Sequence, residues 1–471
     1  MPGPTHTAPP PALLTDLYEL TMAYSYWRAG RADDEAVFHL YFRELPFDGG
    51  YAVACGLGPA CEFLEQFRFD AADLAYLATL AGADGAPLFS ADFLHWLGAL
   101  RLRLDVEMVA EGTVVFPNEP LVRVTGPIIE AQLVETALLT LLGFPTLVAT
   151  KASRICRAAG DDEVLEFGLR RAQGPDGGLS ASRAAYVGGC TATSDVLAGR
   201  LYDIPVRGTH AHSWVMSYES EAAAFDAYAD AMPNNGVFLV DTYDTLAGVR
   251  RAIEAGHRLR AQGQRLLGVR LDSGDLASLS VAARRLLDEA GFAEAAIMAT
   301  NDLDEHRIAR LKAEGARVDV WGVGTRLATA YDEPALGAVY KLAAVRSPGA
   351  PWRPTAKRSE QAAKASLPGV LQVRRATRGG TFAGDVIYDA LAPGDVALPN
   401  GDDVDLLTPA FRGGTRVRAA EPLAAVRERA RAQVAALPAT VTRLERPETY
   451  PVTLEPGLAA RRTALLDRAM P

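Results

Sequence analysis

A repeat of about 30 residues, the length of one β-strand plus one return helix, constrains this chain more than any other feature. From Lys151 onward, short apolar runs recur, each trailed by polar residues and then a helix-patterned stretch. They are VLEFG at 164–168, IPVRGT at 204–209, GVFLVDT at 236–242, LLGVRLDSGD at 266–275, AAIMATND at 295–302 and VDVWGVGT at 318–325. Asp241 and Asp272 lie 31 positions apart, and Asp272 and Asn301 lie 29 apart. Six such units in series, with polar residues just past each strand, argue for an α/β protein built on a (β/α) barrel. An open doubly wound sheet has the same texture, so periodicity alone leaves closure undecided.

The flanking thirds read differently. Residues 13–30 are helical, with Thr15 or Asp16 as the N-cap. The run AVFHLYF at 36–42 alternates as a strand does, 45–58 is Gly-rich and turn-like, and 100–126 holds short β-type runs broken by Gly and Pro. Residues 128–142 form a long apolar helix that Gly143 and Pro145 should end. Beyond 345, a Pro/Gly-rich stretch (347–354) precedes strand-like runs over 370–407. An Ala/Arg helix over 421–437 is expected on the surface. The shared β-rich texture of the two flanks suggests one discontinuous α+β domain. The boundaries are then a disordered tail at 1–12, an N-terminal region at 13–150, a catalytic region at 151–345 and a C-terminal region at 346–471.

Charge and cysteine usage narrow the chemistry. Lysine and arginine total 48 against 58 acids, for a net charge of −10 and a pI near 5.4. A general nucleic-acid footprint needs a basic surface, so that class is disfavoured and any anionic substrate must be met by local positive charge. Cys55, Cys61, Cys156 and Cys190 form no CxxC pair, which disfavours a structural zinc site and a disulfide framework and makes a reducing cytoplasm the expectation. No run of about 18 apolar residues is apparent, so no membrane span is expected. The Pro/Thr-rich start lacks the pattern of a signal peptide.

In parallel α/β folds, reactive groups gather at the carboxyl ends of strands. Those positions here carry Gly168, Arg170 and Arg171; Thr209, His210, His212 and Ser213; Asp241 and Thr242; Arg270, Asp272, Ser273 and Asp275; Asn301 and Asp302; and Gly322, Gly324 and Thr325. The GVGT turn at 322–325 suits a phosphate through its backbone N–H groups, or is simply a tight βα turn. In LDSGD, the carboxylates suit ribose hydroxyls or Mg2+, and Asp272 or Ser273 also suits helix capping. Arg170, Arg171, Arg183 and Arg270 would concentrate positive charge in one cleft, where guanidinium forks match carboxylate and phosphate. His210 and His212 share a face of an extended segment. Zinc lacks an evident third ligand, and a structural imidazole and an acid/base or nucleophilic one both stay open.

These residues sit in longer motifs: LLTDLYELTMAYSYW (13–27), FRELPFDGGYAVACGLG (42–58), ATKASRICRAAG (149–160), EFGLRRAQGPDGGLSASRAAYVGG (166–189), GTHAHSWV (208–215), DTYDT (241–245), GVRLDSGDL (268–276) and WGVGTRL (321–327). Together they closely resemble the bacterial nicotinate phosphoribosyltransferases, strongly over about 13–345 and loosely beyond. The resemblance implies the type II phosphoribosyltransferase architecture. That is an irregular (β/α) barrel with a sandwich domain, built here from the N- and C-terminal thirds, in a homodimer with shared active sites. It implies that nicotinate and phosphoribosyl pyrophosphate give nicotinate mononucleotide and pyrophosphate. The reaction is coupled to ATP hydrolysis through a phosphohistidine, with Mg2+ held mainly by substrate phosphates.

The phosphohistidine position matches His212, which leaves His210 a supporting role. By the same resemblance Phe167 stacks on the pyridine ring and Tyr18 of the partner subunit covers its other face. Arg170 meets the nicotinate carboxylate or a nearby phosphate, and Ser213 lies beside the base. Arg270 and Asp272 hold the phosphoribosyl group or pyrophosphate, with Asp241 and Ser273 in the same site. Gly322, Gly324 and Thr325 take the 5′-phosphate. Cys190 stands where the motif suggested an aromatic residue.

Three rivals remain. In a nicotinamide-using enzyme, an acid would receive the amide better than Ser213 does. A quinolinate-using enzyme would need more basic residues and no phosphoacceptor histidine. A catalytically silent barrel serving as a binding protein would be expected to lack Asp272 or His212, and both are present.

Overall fold

The computed structural model describes residues 11–357, 366–394, 396 and 402–468. Most of the tail expected at 1–12 lies outside these residues, while Ala12 is buried. The chain divides into two compact units, 148–334 and the pair 1–147 with 335–471.

The 148–334 unit is built on six parallel strands: β1 (Glu163–Glu166), β2 (Ala192–Thr193), β3 (Val237–Leu239), β4 (Gly268–Leu271), β5 (Ala296–Ala299) and β6 (Val320–Val323). Their order is β2-β1-β6-β5-β4-β3, and every ladder is parallel. Most residues of β1 and β3–β6 are buried, as expected of strands covered on both faces. Leu165, Ala192 and Met298 cluster on one face, with Phe167 and Val320 packed against them. Helices follow the strands with side-chain caps: Asp195 starts Val196–Tyr202, Asp244 starts Thr245–Ala261, Asp275 starts Leu276–Glu289 and Asp304 starts Glu305–Ala313. Each satisfies amides that the first helical turn leaves without partners. Asp275, two or three residues past the expected Asp272 or Ser273, is therefore the cap in LDSGD.

One of the six expected strands is replaced. The 204–209 run makes only a single parallel bridge, Val206 to Thr193, and Ala192–Thr193 supplies the ladder strand instead. Pro205 has no N–H to give a ladder. The hydrogen-bonded order is open at β2 and β3, so the structure establishes a mixed α/β unit on a parallel sheet rather than ladder closure.

The other unit holds a seven-stranded antiparallel sheet in the spatial order Arg353–Pro354, Val339–Arg346, Glu35–Tyr41, Val122–Pro127, Asp105–Met108, Thr408–Arg412, Thr415–Arg416. Strands from both ends of the chain thus share one sheet, the three N-terminal strands lying between two pairs from the C-terminal side. A four-stranded sheet is formed by Val404–Asp405, Leu371–Arg378, Thr381–Asp389 and Val452–Leu454. His39, in Glu35–Tyr41, is buried and accepts the Leu371 N–H at Nε2, 3.1 Å away. Burial and the nearby Arg123 push its pKa down to about 3. The Ala/Arg helix runs over Leu423–Ala435 and buries Val426, Ala430 and Val434 along one stripe, so only its other faces are surface.

The expected stop at Gly143 and Pro145 does not occur. Helix Glu135–Ala159 runs through both. A proline inside a helix costs about 3 kcal/mol or more. Burial of Leu138, Leu142, Leu147, Val148, Ala152 and Ile155 along that helix outweighs it, at roughly 1.5–3 kcal/mol for each large aliphatic side chain. The stretch Ile128–Ala159 is long and apolar enough to cross a membrane, contrary to the sequence expectation, but 61% of its most apolar window is buried within the protein. That burial is what a core helix shows.

Candidate functional site

Parallel strands place all their carboxyl ends on one side, and in the 148–334 unit the polar residues there interlock. His212 opens the short helix His212–Met216. Its Nδ1 lies 3.1 Å from Thr242 Oγ1 and its Nε2 lies 3.5 Å from Asp272 Oδ2. The carboxylate favours a proton on Nε2, which leaves Nδ1 to accept the Thr242 hydroxyl. Thr300 donates to the other Asp272 oxygen. Asp241 Oδ2 accepts the Asp272 N–H at 3.0 Å and the Ser273 hydroxyl at 2.5 Å. One chain of contacts therefore joins the ends of β3, β4 and β5 to the imidazole.

Two polar atoms in this cluster are buried without a partner among the described residues, Asp241 Oδ1 and Arg270 Nε. A buried acceptor and a buried charged donor without partners are costly unless something else meets them, which marks the place as a ligand site. Arg270, on β4, donates to Thr209 Oγ1 at 3.0 Å. Burial lowers its pKa, Asp272 and Asp241 oppose that, and Arg170 adds like charge. Arg170 thus faces the same region. No group of three or more metal-ligating side chains exists among the described residues.

Phe167 follows β1 directly, and its N–H donates to Val323 O at 2.8 Å. Its ring edge lies over Gly322: a Cβ there would sit 2.9 Å from Phe167 Cδ2 and 2.6 Å from Thr300 Cγ2. Glycine at 322 therefore lets the aromatic ring and the Asp272–Thr300 pair share one floor. Gly324 lies under the Phe167 carbonyl, and Thr325 begins a single helical turn. Glu166, just before Phe167, is buried. It accepts from Gly168 N–H, from Ser182 Oγ at 2.9 Å and from Thr193 Oγ1 at 2.6 Å. Burial pushes its pKa up while those three donors oppose the shift.

Of the residues picked from sequence, His212, Asp272, Asp241 and Ser273 join one contact network, Arg270 interacts electrostatically with its two aspartates, Gly322 lies between Thr300 and Phe167, and Gly324 lies against Phe167. The Ser213 side chain is exposed beside His212. Tyr18 lies in the other unit, half exposed on helix Leu17–Arg28, with its hydroxyl 3.3 Å from Glu135 Oε1. Arg183 lies over the Tyr202 ring. Asn301 and Asp302 are exposed in left-handed backbone. Thr300 and Glu166 were missed. Their position at strand ends was the available signal, but a hydroxyl and a buried acid draw less notice than the neighbouring charges.

The N-terminal domain model of nicotinate phosphoribosyltransferase matches residues 13–143 and the C-terminal domain model matches 396–461. The chain is 49% identical over 369 residues to nicotinate phosphoribosyltransferase of Bacillus subtilis, covering 77% of this chain and 73% of that one. It is 44% identical over 449 residues to nicotinate phosphoribosyltransferase pncB2 of Mycobacterium tuberculosis, covering 94% and 91%. The crystal structure of human nicotinic acid phosphoribosyltransferase superposes with a TM-score of 0.82 at 33% identity, over 96% of this chain and 99% of that chain. Nicotinate-nucleotide pyrophosphorylase from Pyrococcus furiosus shares the fold at a TM-score of 0.72 and 23% identity, over 90% and 95%. With identity at this level across most of its length, the chain belongs to the nicotinate phosphoribosyltransferase family.

Proposed function

We propose that this enzyme couples ATP hydrolysis to the transfer of phosphoribose onto nicotinate, through a phosphoryl group carried on His212. The reaction joins the pyridine nitrogen of nicotinate to the anomeric carbon of phosphoribosyl pyrophosphate, and the bond from that carbon to the pyrophosphate oxygen breaks. The observation that carries the reading is the position of His212, held between Thr242 and Asp272 at the tips of strands whose Asp241 and Arg270 keep orphaned buried polar atoms.

The residues divide the work by chemistry. Phe167 presents a flat face for the pyridine ring and orients its nitrogen. Arg170 pairs with the nicotinate carboxylate, which leaves an unmatched charge against the neutral amide. Arg270 neutralises charge that develops on departing pyrophosphate. Gly322, Gly324 and Thr325 receive the 5′-phosphate. Asp241 and Asp272 are the side chains that would hold Mg2+, which supplies further neutralisation of the phosphates when bound. His212 takes the terminal phosphoryl group of ATP on a ring nitrogen as ADP departs, and water later cleaves that bond to release phosphate. While phosphorylated, it sets added negative charge and acceptor oxygens beside the pyrophosphate position.

The reading includes an assembly and a closure. Leu14, Leu17, Tyr18 and Met22 expose large apolar side chains near the start of the chain, which supports a homodimer in which Tyr18 of the partner subunit covers the base. The 205–210 segment bonds β2 on one side, through Thr193 N–H to Pro205 O and Arg207 N–H to Thr193 O, both 3.0 Å. It reaches β3 on the other through His210. That supports an irregular barrel closed by this segment. Cys55, Cys61, Cys156 and Cys190 carry thiols, which fits a reducing cytoplasm.

Incubation with γ-labelled ATP should leave an acid-labile, base-stable label on His212. His212→Ala should abolish ATP coupling, and ATP hydrolysis that still kept pace with product in that variant would overturn the assignment. Mixing Tyr18→Ala with His212→Ala chains should recover activity if sites are shared.

A further inference from the structure

We propose that His210 is a positioning residue, a neutral imidazole that stands in for a missing strand ladder and sets the register of the His212 segment against β3. The inference rests on the phosphohistidine reading only for its catalytic consequence. The tie itself rests on geometry.

After Arg207 the chain leaves β2, and three side chains link it to the neighbourhood of β3 and β4. Asn235 Nδ2 donates to Gly208 O at 3.2 Å, Arg270 Nη1 donates to Thr209 Oγ1 at 3.0 Å, and Leu239 N–H donates to His210 Nε2 at 3.3 Å. Leu239 is the last residue of β3, the strand left at the edge of the ladder. Its amide is buried, and a buried amide without an acceptor is costly. His210 is itself buried, edge-on to Tyr228 with ring centroids 4.8 Å apart and near Phe225 and Phe238.

The chemistry fixes the tautomer. A backbone N–H can only donate, so Nε2 must carry the lone pair and the proton sits on Nδ1, which lies 3.4 Å from Ala211 O. An imidazolium would lose the acceptor. Arg270 on β4 and His212 on the same segment act electrostatically against protonation of His210, and Tyr228 faces it from helix Glu221–Ala231. Burial is the largest cause, the hydrogen bond to Ala211 O opposes it, and the net effect pushes the pKa down to about 4.

The consequence is a two-point attachment. His210 meets Leu239, and His212 meets Thr242, three residues further along the same strand exit. Thr209 between β2 and this attachment holds Arg270. A slip of one residue would carry His212 away from Thr242 and Asp272 together.

Two variants separate the acceptor from the ring. His210→Gln keeps an oxygen that can accept the Leu239 N–H; His210→Phe keeps aromatic volume and removes the acceptor. Hydrogen exchange, read on peptides spanning Leu239 and 208–213, should speed up at least ~10-fold in His210→Phe and stay within about 3-fold of the parent in His210→Gln, with peptides over β5 unchanged. Phosphoenzyme formation from labelled ATP should follow the same order. Wild-type exchange in His210→Phe, or equal effects of the two variants, would overturn the tie. An unlabelled His212 in the parent enzyme would overturn the phosphohistidine reading instead, while the exchange result would still decide the role of His210.

Discussion

Replacing His39 by glutamine should remove a pH dependence whose size and sign follow from burial. The imidazole accepts the Leu371 N–H and titrates near pH 3 in the folded chain, against about 6.5 in an unfolded one. Between those values the unfolded chain binds a proton that the folded chain refuses. The histidine's contribution is therefore complete above pH 6.5 and is lost as pH falls below it. At pH 5 the loss amounts to about 2 kcal/mol, or roughly 30-fold in an equilibrium constant. Glutamine at 39 can accept the same N–H and has no proton to bind. Glu19, raised to about 7 chiefly by burial, acts in the opposite direction, stabilising the fold as pH drops from 7 towards 4.5, but it is present in both chains and cancels. Urea titrations read by pulsed hydrogen exchange over 35–41 and 371–378 should show the advantage of the parent over His39→Gln shrinking by about 2 kcal/mol from pH 7.5 to 5. An advantage that stays constant with pH would refute the buried, neutral acceptor.

Gly322→Ala places a methyl group against Thr300 and Phe167, and overpacking of this kind costs about 1–3 kcal/mol. The fold should survive by circular dichroism while KM for nicotinate rises at least ~10-fold. Thr300→Val removes the hydroxyl that donates to Asp272; hydrogen bonds to charged groups contribute about 1.5–3 kcal/mol. A ~10-fold or larger fall in kcat with little change in KM for nicotinate is expected from steady-state kinetics. Lys151 is buried between Glu305 at 2.8 Å and Asp332 at 2.5 Å. Lys151→Met leaves buried Glu305 with Arg154 alone, and chemical denaturation should register a loss of about 3 kcal/mol.

Legibility in the sequence tracked how far each feature depended on local chemistry. β1 and β3–β6 were readable because apolar runs end in Asp, Asn or Gly at fixed spacing. The 204–209 run looked the same, yet Pro205 denies it a ladder, and the two-residue strand that replaces it at Ala192–Thr193 is too short to leave a pattern. Helix Glu135–Ala159 contradicts its own local signals because burial along its length outweighs Gly143 and Pro145. In the site, His212, Asp272 and Asp241 were visible as reactive types at strand ends. Thr300 and Glu166 were not, since their roles come from neighbours about 16 to 28 residues away that only folding brings near.

Glu166 carries a consequence for how such a pocket can change over time. One carboxylate, drawing on β1's own exit, on helix Gly174–Gly188 and on β2, works like a keystone whose neighbours lean on it from three sides. Altering the aromatic face at Phe167 leaves that keystone seated, so the choice of base can drift by single steps. Altering the acid itself unseats three supports at once, and no lone compensating substitution restores them.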